Sequence, residues 1–285
     1  MAKAVIKSTF NKINKDPNNW FIVALWFGLF LCFATLSTKA IANEIYVSQT
    51  GSGDNLNLQI LQDGEDNKID MSIGNHTNNT IEIEQKGDDG YVGYTSAWGS
   101  GYSWGGDIDG DSNSLSIKQF CNQSPCGGDR FEFHIQGSNN DVDFAQGYHV
   151  TNTGTLLAVD DYEYGGHFVR LDIHGSNNTF LGSQRSNNSG HEHSNITNIY
   201  GSNNDVYTRQ ESNQNKTLNL TINNSDNDID IIQKGSATHS ATVTISGSYG
   251  TDLDLLQQGG TAQSYSLTQS CATIGGCSVS VTQGN

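Results

Sequence analysis

The stretch Asn227-Asp228-Ile229-Asp230-Ile231-Ile232-Gln233 decides the fold of this chain. Its Asn, two of its isoleucines and its Gln sit two apart, so an extended strand points all four to one face. The same template, Asn-x-apolar-x-apolar-x-Gln, returns as Asn79-Ile81-Ile83-Gln85, Asn113-Leu115-Ile117-Gln119 and Asn140-Val142-Phe144-Gln146. Asn43-Ile45-Val47-Gln49 opens the series. Asn178 with Gln184 and Asn204 with Gln210 keep the two ends of the template. In Thr251-Leu253-Leu255-Gln257 and Cys277-Val279-Val281-Gln283 only the first slot changes. A row of this kind serves a stack of identical rungs.

Working outward, the glutamines at 62, 85, 119, 146, 184, 210, 233, 257 and 283 recur mostly at 23 to 27 residues, the range of a small solenoid coil. Two intervals are longer, 34 and 38 residues, and each contains a foreign segment, at about 88–106 and 148–166. Counting Gln49, about ten coils are expected. Within each coil a Gly- or Asn-containing turn follows the Gln, and a second alternating strand comes next, such as Phe131, Phe133, Ile135 or Leu218, Leu220, Ile222. A second corner, Gly-Ser-Asn-Asn at residues 137–140, 175–178 and 201–204, closes the coil, and Gly and Asn tolerate the positive φ such corners need. A strand-turn-strand unit cannot bury its apolar row alone. Stacked at about 4.8 Å, equivalent side chains form ladders, and Asn over Asn and Gln over Gln can chain their amides. The expected fold is an all-β solenoid over residues 43–285.

The N-terminus reads differently. Lys3, Lys7, Lys12 and Lys15 precede an apolar run from Trp20 to Leu36, and Ala40-Ile41-Ala42 follows. Basic, apolar, then small residues describe a secretory signal peptide, residues 1–42, and predict an exported protein that is secreted or held at the cell surface. Without this segment the chain loses five lysines and one aspartate, and its formal charge moves from −16 to −20. That charge repels nucleic acid and anionic membrane, which excludes both as expected partners. In an exported chain, the close pairs Cys121/Cys126 and Cys271/Cys277 predict two local disulfides, each clipping a turn.

The heptad joined to Gln62-Asp63-Gly64-Glu65-Asp66-Asn67, with Gln233-Lys234-Gly235 and Gln257-Gln258-Gly259 keeping its first half, resembles the curlin repeat of bacterial curli subunits. The resemblance runs from about residue 43 to 285, interrupted at the two inserts. It implies a β-solenoid that assembles with copies of itself or with other curlin-like subunits into extracellular amyloid-type fibres. It also implies export through an outer-membrane secretion apparatus. The chain departs from the family in its length, its cysteine pairs and its inserts, so the resemblance is to the repeat class rather than to a fibre's major subunit.

The remaining motifs carry less chemistry. Asp107-Ile108-Asp109-Gly110-Asp111-Ser112-Asn113 looks like a calcium loop, but the positions that should be Gly and Glu are Ser112 and Lys118, so it reads as one more corner. Asp228, Asp230, Asp252 and Asp254 occupy outward slots that stack on neighbouring coils, where a divalent cation could bridge them; no other cofactor is expected. The first insert gathers Tyr91, Tyr94, Trp98, Tyr102 and Trp104, rings able to stack on sugars or a partner surface. His191-Glu192-His193 has no third ligand in view and reads as a surface loop. A nucleophile elbow, a phosphate loop and an HExxH motif are all missing, so no enzyme is expected. The rival to a fibre protein is a monomeric β-solenoid adhesin, of bacterial or phage origin, that binds carbohydrate or a surface through the aromatic insert.

Overall fold

Alternating β-branched, aromatic and leucine residues favour extended backbone, and period-two burial aligns their inward faces. A computed structural model of the protein describes residues 43–50, 55–74, 76–93, 105–123, 126–150, 156–158 and 163–284. The expected signal segment, residues 1–42, lies outside them. Among the described residues no helix is long and apolar enough to cross a membrane.

The described chain is an all-β solenoid. Its rungs, in chain order, begin with β1 (Glu44–Gln49) and β2 (Asn57–Leu58), then β3 (Lys68–Ile73) and β4 (Thr80–Ile81). The third rung joins β5 (Tyr91–Val92) and β6 (Gly106–Asp109) to β7 (Ser114–Gln119), and the fourth is β8 (Arg130–Gln136) with β9 (Asp141–Gln146). A hairpin of β10 (Tyr148–Val150) and β11 (Leu156–Ala158) leads to the fifth, β12 (Phe168–His174) with β13 (Thr179–Arg185). The last four pair β14 (His193–Tyr200) with β15 (Asp205–Glu211), β16 (Lys216–Ile222) with β17 (Asp228–Gln233), β18 (His239–Gly247) with β19 (Thr251–Gln257), and β20 (Gln263–Cys271) with β21 (Cys277–Gln283). The first strand of each rung stacks into one parallel sheet and the second into another. Apart from the β10–β11 hairpin, every strand pairing is parallel and in register.

Nine rungs stand in the second sheet, against the ten coils expected. The difference lies in the first heptad. Ile45 pairs with Ile69 and Gln49 with Ile73, so Asn43, Ile45, Val47 and Gln49 belong to the first sheet, across the core from the Gln ladder. Both strands of a coil alternate with the same period, and parity alone cannot say which sheet a strand joins. Eight steps at about 4.8 Å give a rise of roughly 38 Å.

The core is the pair of inward rows, and Phe131, Phe133, Phe144 and Phe180 are fully buried in it. Phe144 and Phe180 stack with centroids 5.6 Å apart. Glycine makes room for these rings. A Cβ at Gly182, which pairs with Phe144, would lie 2.3 Å from that ring, and one at Gly106, which pairs with Phe133, would lie 2.6 Å from its ring. Each buried ring contributes about 1.5–3 kcal/mol.

The inserts are narrower than expected. β5 pairs with Lys68–Ile69 and Arg130–Phe131, and β6 continues along Met71–Ile73 and Phe133–Gln136, so the two form one interrupted strand. The first insert therefore leaves from the middle of a rung rather than at a corner.

Candidate functional site

Two amide ladders run along the stack. Gln119 Nε2 donates to Gln146 Oε1 at 2.8 Å, Gln146 to Gln184 at 3.1 Å, and Gln184 to Gln210 at 2.7 Å. Gln210, Gln233 and Gln257 each donate to the next Gln at 2.8 Å, ending at Gln283. The second amide hydrogen crosses the core to a carbonyl of the facing sheet, as from Gln184 to Phe168 (3.1 Å) or Gln233 to Thr217 (3.0 Å). At the other edge, Oδ1 of Asn79, Asn113, Asn140, Asn178, Asn204 and Asn227 accepts the backbone N–H of the next rung at 2.8–3.1 Å. The corner residues Asn139, Asn177 and Asn203 take φ of 56–58°, as their Gly-Ser-Asn-Asn sequence suggested. Asn113 is a ladder residue, so the calcium-like run is indeed a corner.

A third ladder was not legible in the sequence. It lies where the first sheet begins, and its residues in successive rungs are Asn43, Asn67, Gly90, Asp129, His167, His193, Lys216 and His239. Asn43 Oδ1, Asn67 Oδ1, Asp129 Oδ1, His167 Nδ1 and His193 Nδ1 each accept an N–H of the next rung, at 2.8–3.2 Å. Asn, Asp and His share one property, an acceptor at the δ1 position, which the column uses at these five rungs; Gly90 and Lys216 lack it.

This column buries ionisable groups. Glu163, at the end of the second insert, meets His167 Nε2 at 2.9 Å, and both are buried. Burial pushes the His167 imidazole down, but Glu163 and Asp129 outweigh it and the net shift is upward. Burial raises the Asp129 carboxyl to about 6. The His193 and His167 rings stack 4.8 Å apart, and burial, then His167, hold His193 well below its usual range. Lys216 Nζ donates to the carbonyls of Gln214, Gly235 and Ala237 at 2.7–3.1 Å, and burial lowers it to about 8. His193 is thus buried at the start of β14 rather than on a surface loop. His191 stands apart, facing Asn215 at 3.2 Å, so His191-Glu192-His193 gathers no ligand set. Glu163, within the second insert at about 148–166, is thus a buried partner of this column.

The ends differ from the middle. In β20 and β21 the inward Tyr265, Leu267, Val279 and Val281 are only partly buried, while their neighbours Leu253 and Leu255 one rung back are buried. Among the described residues no strand pairs with the outer edge of β20 or β21. At the other end Ile45, Tyr46 and Leu61 are exposed. Both disulfides form where expected. Cys121–Cys126 clips the corner after Gln119, and Cys271–Cys277 joins β20 to β21. The second stands where the Asn ladder runs out, since Thr251 accepts no amide at its buried hydroxyl.

The outward aspartates stack as expected: Asp228 pairs with Asp252, and Asp230 with Asp254. Burial, then the neighbouring aspartates, raise the Asp230 carboxyl. Their oxygens do not converge as a ligand set. Among the described residues the group of three whose ligand atoms all lie within 4.8 Å is His134, Asp172 and His174. Tyr91 lies in β5 and is half-buried; Tyr94, Trp98, Tyr102 and Trp104 lie outside the described residues. Comparison of the chain with protein-family models, with curated proteins and with solved structures finds no match in any of the three.

Proposed function

We propose that this chain is an exported, curlin-like structural protein that assembles end to end into extracellular amyloid-type fibres, as a subunit or a nucleator. The observation that carries this reading is the unfinished last rung. Among the described residues, β20 and β21 present two unpaired strand edges above half-covered Tyr265, Leu267, Val279 and Val281. Such an edge is a template for another chain, which pairs its backbone groups and completes the burial. The in-register amide ladders give an incoming rung a defined seat, because each Gln fixes the height and lateral position of the next.

The test is growth. Purified protein should form thioflavin-positive filaments visible by electron microscopy. Lysine in place of both Val279 and Val281 should abolish growth while leaving the circular dichroism of the monomer unchanged. A wild-type protein that stays monomeric under all conditions would sink the fibre reading and favour the adhesin.

A further inference from the structure

We propose that His134, Asp172 and His174 form a binding site for one imidazole-preferring divalent cation of the Zn²⁺ class. The three lie on the outward face of the first sheet, His134 in β8 and the other two in β12, with His134 and Asp172 directly paired. Asp172 Oδ1 is 3.1 Å from His134 Nδ1 and 2.9 Å from His174 Nε2. Four donors around zinc at about 2.0–2.1 Å stand roughly 3.3 Å apart, so the present spacing needs small adjustment rather than rebuilding. Two imidazoles and one carboxylate are a donor set that suits Zn²⁺ and disfavours Ca²⁺ or Mg²⁺, which prefer oxygen.

The surroundings orient each donor. His174 Nδ1 faces Gln136 Oε1 at 2.7 Å, so it donates its proton there and leaves the Nε2 lone pair toward Asp172. His134 Nε2 faces Asp107 Oδ2 at 3.8 Å, and Ser72 donates to the other oxygen of Asp107 at 2.5 Å. Tyr200 donates to Asp172 Oδ2 at 3.1 Å, which turns Oδ1 toward the two rings. His174 and Asp172 thus each have the opposite atom held by a hydrogen bond, the arrangement that fixes tautomer and direction in metal sites, and Asp107 stands within ion-pair distance behind His134. Asp172 is 1% exposed, whereas His134 and His174 are 26% and 33% exposed. A cation can therefore enter from solvent and keep a water in its fourth position.

The placement suggests what the ion does. The fourth and fifth rungs are joined through the second insert, the longest excursion between paired strands, with 38 residues separating His134 from Asp172. A long connection closes at a higher entropic cost than a tight corner. An ion held by His134 on one side and Asp172 with His174 on the other would staple the two rungs that the chain joins by its longest connection.

The experiment is calorimetric titration of the purified full chain with ZnCl₂, with CaCl₂ as the control. One Zn²⁺ per chain is expected, with a raised melting temperature and no matching Ca²⁺ binding. His134→Ala and His174→Ala should each weaken Zn²⁺ binding on the order of 100-fold, and Tyr200→Phe about tenfold. All three substitutions are on the outer face, so melting without metal checks that they fold. Absence of Zn²⁺ binding, or binding unchanged in the His134→Ala/His174→Ala double variant, would overturn the site.

Discussion

The first three rungs and the last six are built from one template and held together differently. From Gln119 to Gln283 every Gln reaches the next, and the strands β12 to β21 run six to nine residues. Before Gln119 the chain of amides breaks. β2, β4 and β5 have two residues each, Gln85 has neither amide atom partnered, and Gln62 and Gln119 each have an unpartnered carbonyl oxygen. The local cause is Gly90. It leaves the third ladder without a side chain, and Gln85 Nε2 sits 2.7 Å from where its Cβ would be. Gln119 Oε1 lies 3.0 Å from the same point, and neither it nor Gln85 Nε2 makes a hydrogen bond there. A repeat thus stabilises only where its neighbours repeat as well.

The contrast can be broken most severely in the core. Phe144→Ala removes a ring stacked between rungs and should cost about 3–5 kcal/mol in denaturant unfolding, whereas Val47→Ala in the exposed first rung should cost under about 1 kcal/mol. Equal losses would mean that the two regions are equally tight. The amides sharpen the contrast further. Gln233→Leu leaves Gln257 Oε1 and the Thr217 carbonyl without their donor and an amide hydrogen of Gln210 without its acceptor, and should cost about 2–3 kcal/mol. Gln85→Leu removes two unpartnered buried atoms and should be near neutral or stabilising. The same cost at both positions would show that Gln85 finds partners after all.

The smallest effect concerns acid. His193 accepts the Lys216 N–H through Nδ1 and donates from Nε2 to the Arg185 carbonyl at 2.8 Å, so the folded state needs it neutral. Burial first, then the neighbouring His167 and the Lys216 ammonium, oppose its protonation. Because its folded pKa lies below the unfolded value of about 6.5, the unfolded chain takes up the proton first, and stability falls as pH drops below about 6.5. His193→Asn keeps a δ1 acceptor and cannot titrate. Its stability should fall less steeply between pH 6.5 and 5, by up to about 1.4 kcal/mol per pH unit. Parallel pH curves for the two proteins would contradict this.

Much of this architecture was open to reading from residues alone. The inward parity of Asn227, Ile229, Ile231 and Gln233, the Gly-Ser-Asn-Asn corners and both disulfides follow from spacing, because spacing is what stacking enforces. The δ1 column stayed hidden because it repeats an acceptor atom, not a residue: Asn43 and Asn67, Asp129, and His167 and His193 spell it in three different letters. The His134–Asp172–His174 cluster was hidden by the second insert. Its signal was available, however, since the 38-residue interval from Gln146 to Gln184 also separates His134 from Asp172. The misplacement of Asn43 to Gln49 has a similar root. The 13-residue interval from Gln49 to Gln62 measures the distance across one coil, not between two.

One consequence of the amide ladders concerns direction. From Gln119 to Gln257 each ladder Gln hands a hydrogen forward to the next rung, while from Asn79 to Asn227 each ladder Asn takes one back from it. The two columns of dipoles oppose each other, so lengthening the rod does not accumulate the end-to-end field that aligned peptide dipoles give a helix. The ends are nevertheless unlike. Gln283 Nε2 donates to Ser264 and to no further glutamine, and Gln62 Oε1 receives no hydrogen. A donor at one tip and an acceptor at the other match only when rods join head to tail, whereas two like tips set donor against donor or acceptor against acceptor. Any fibre made from this rod would carry an arrow, with chemically distinct growing and trailing tips.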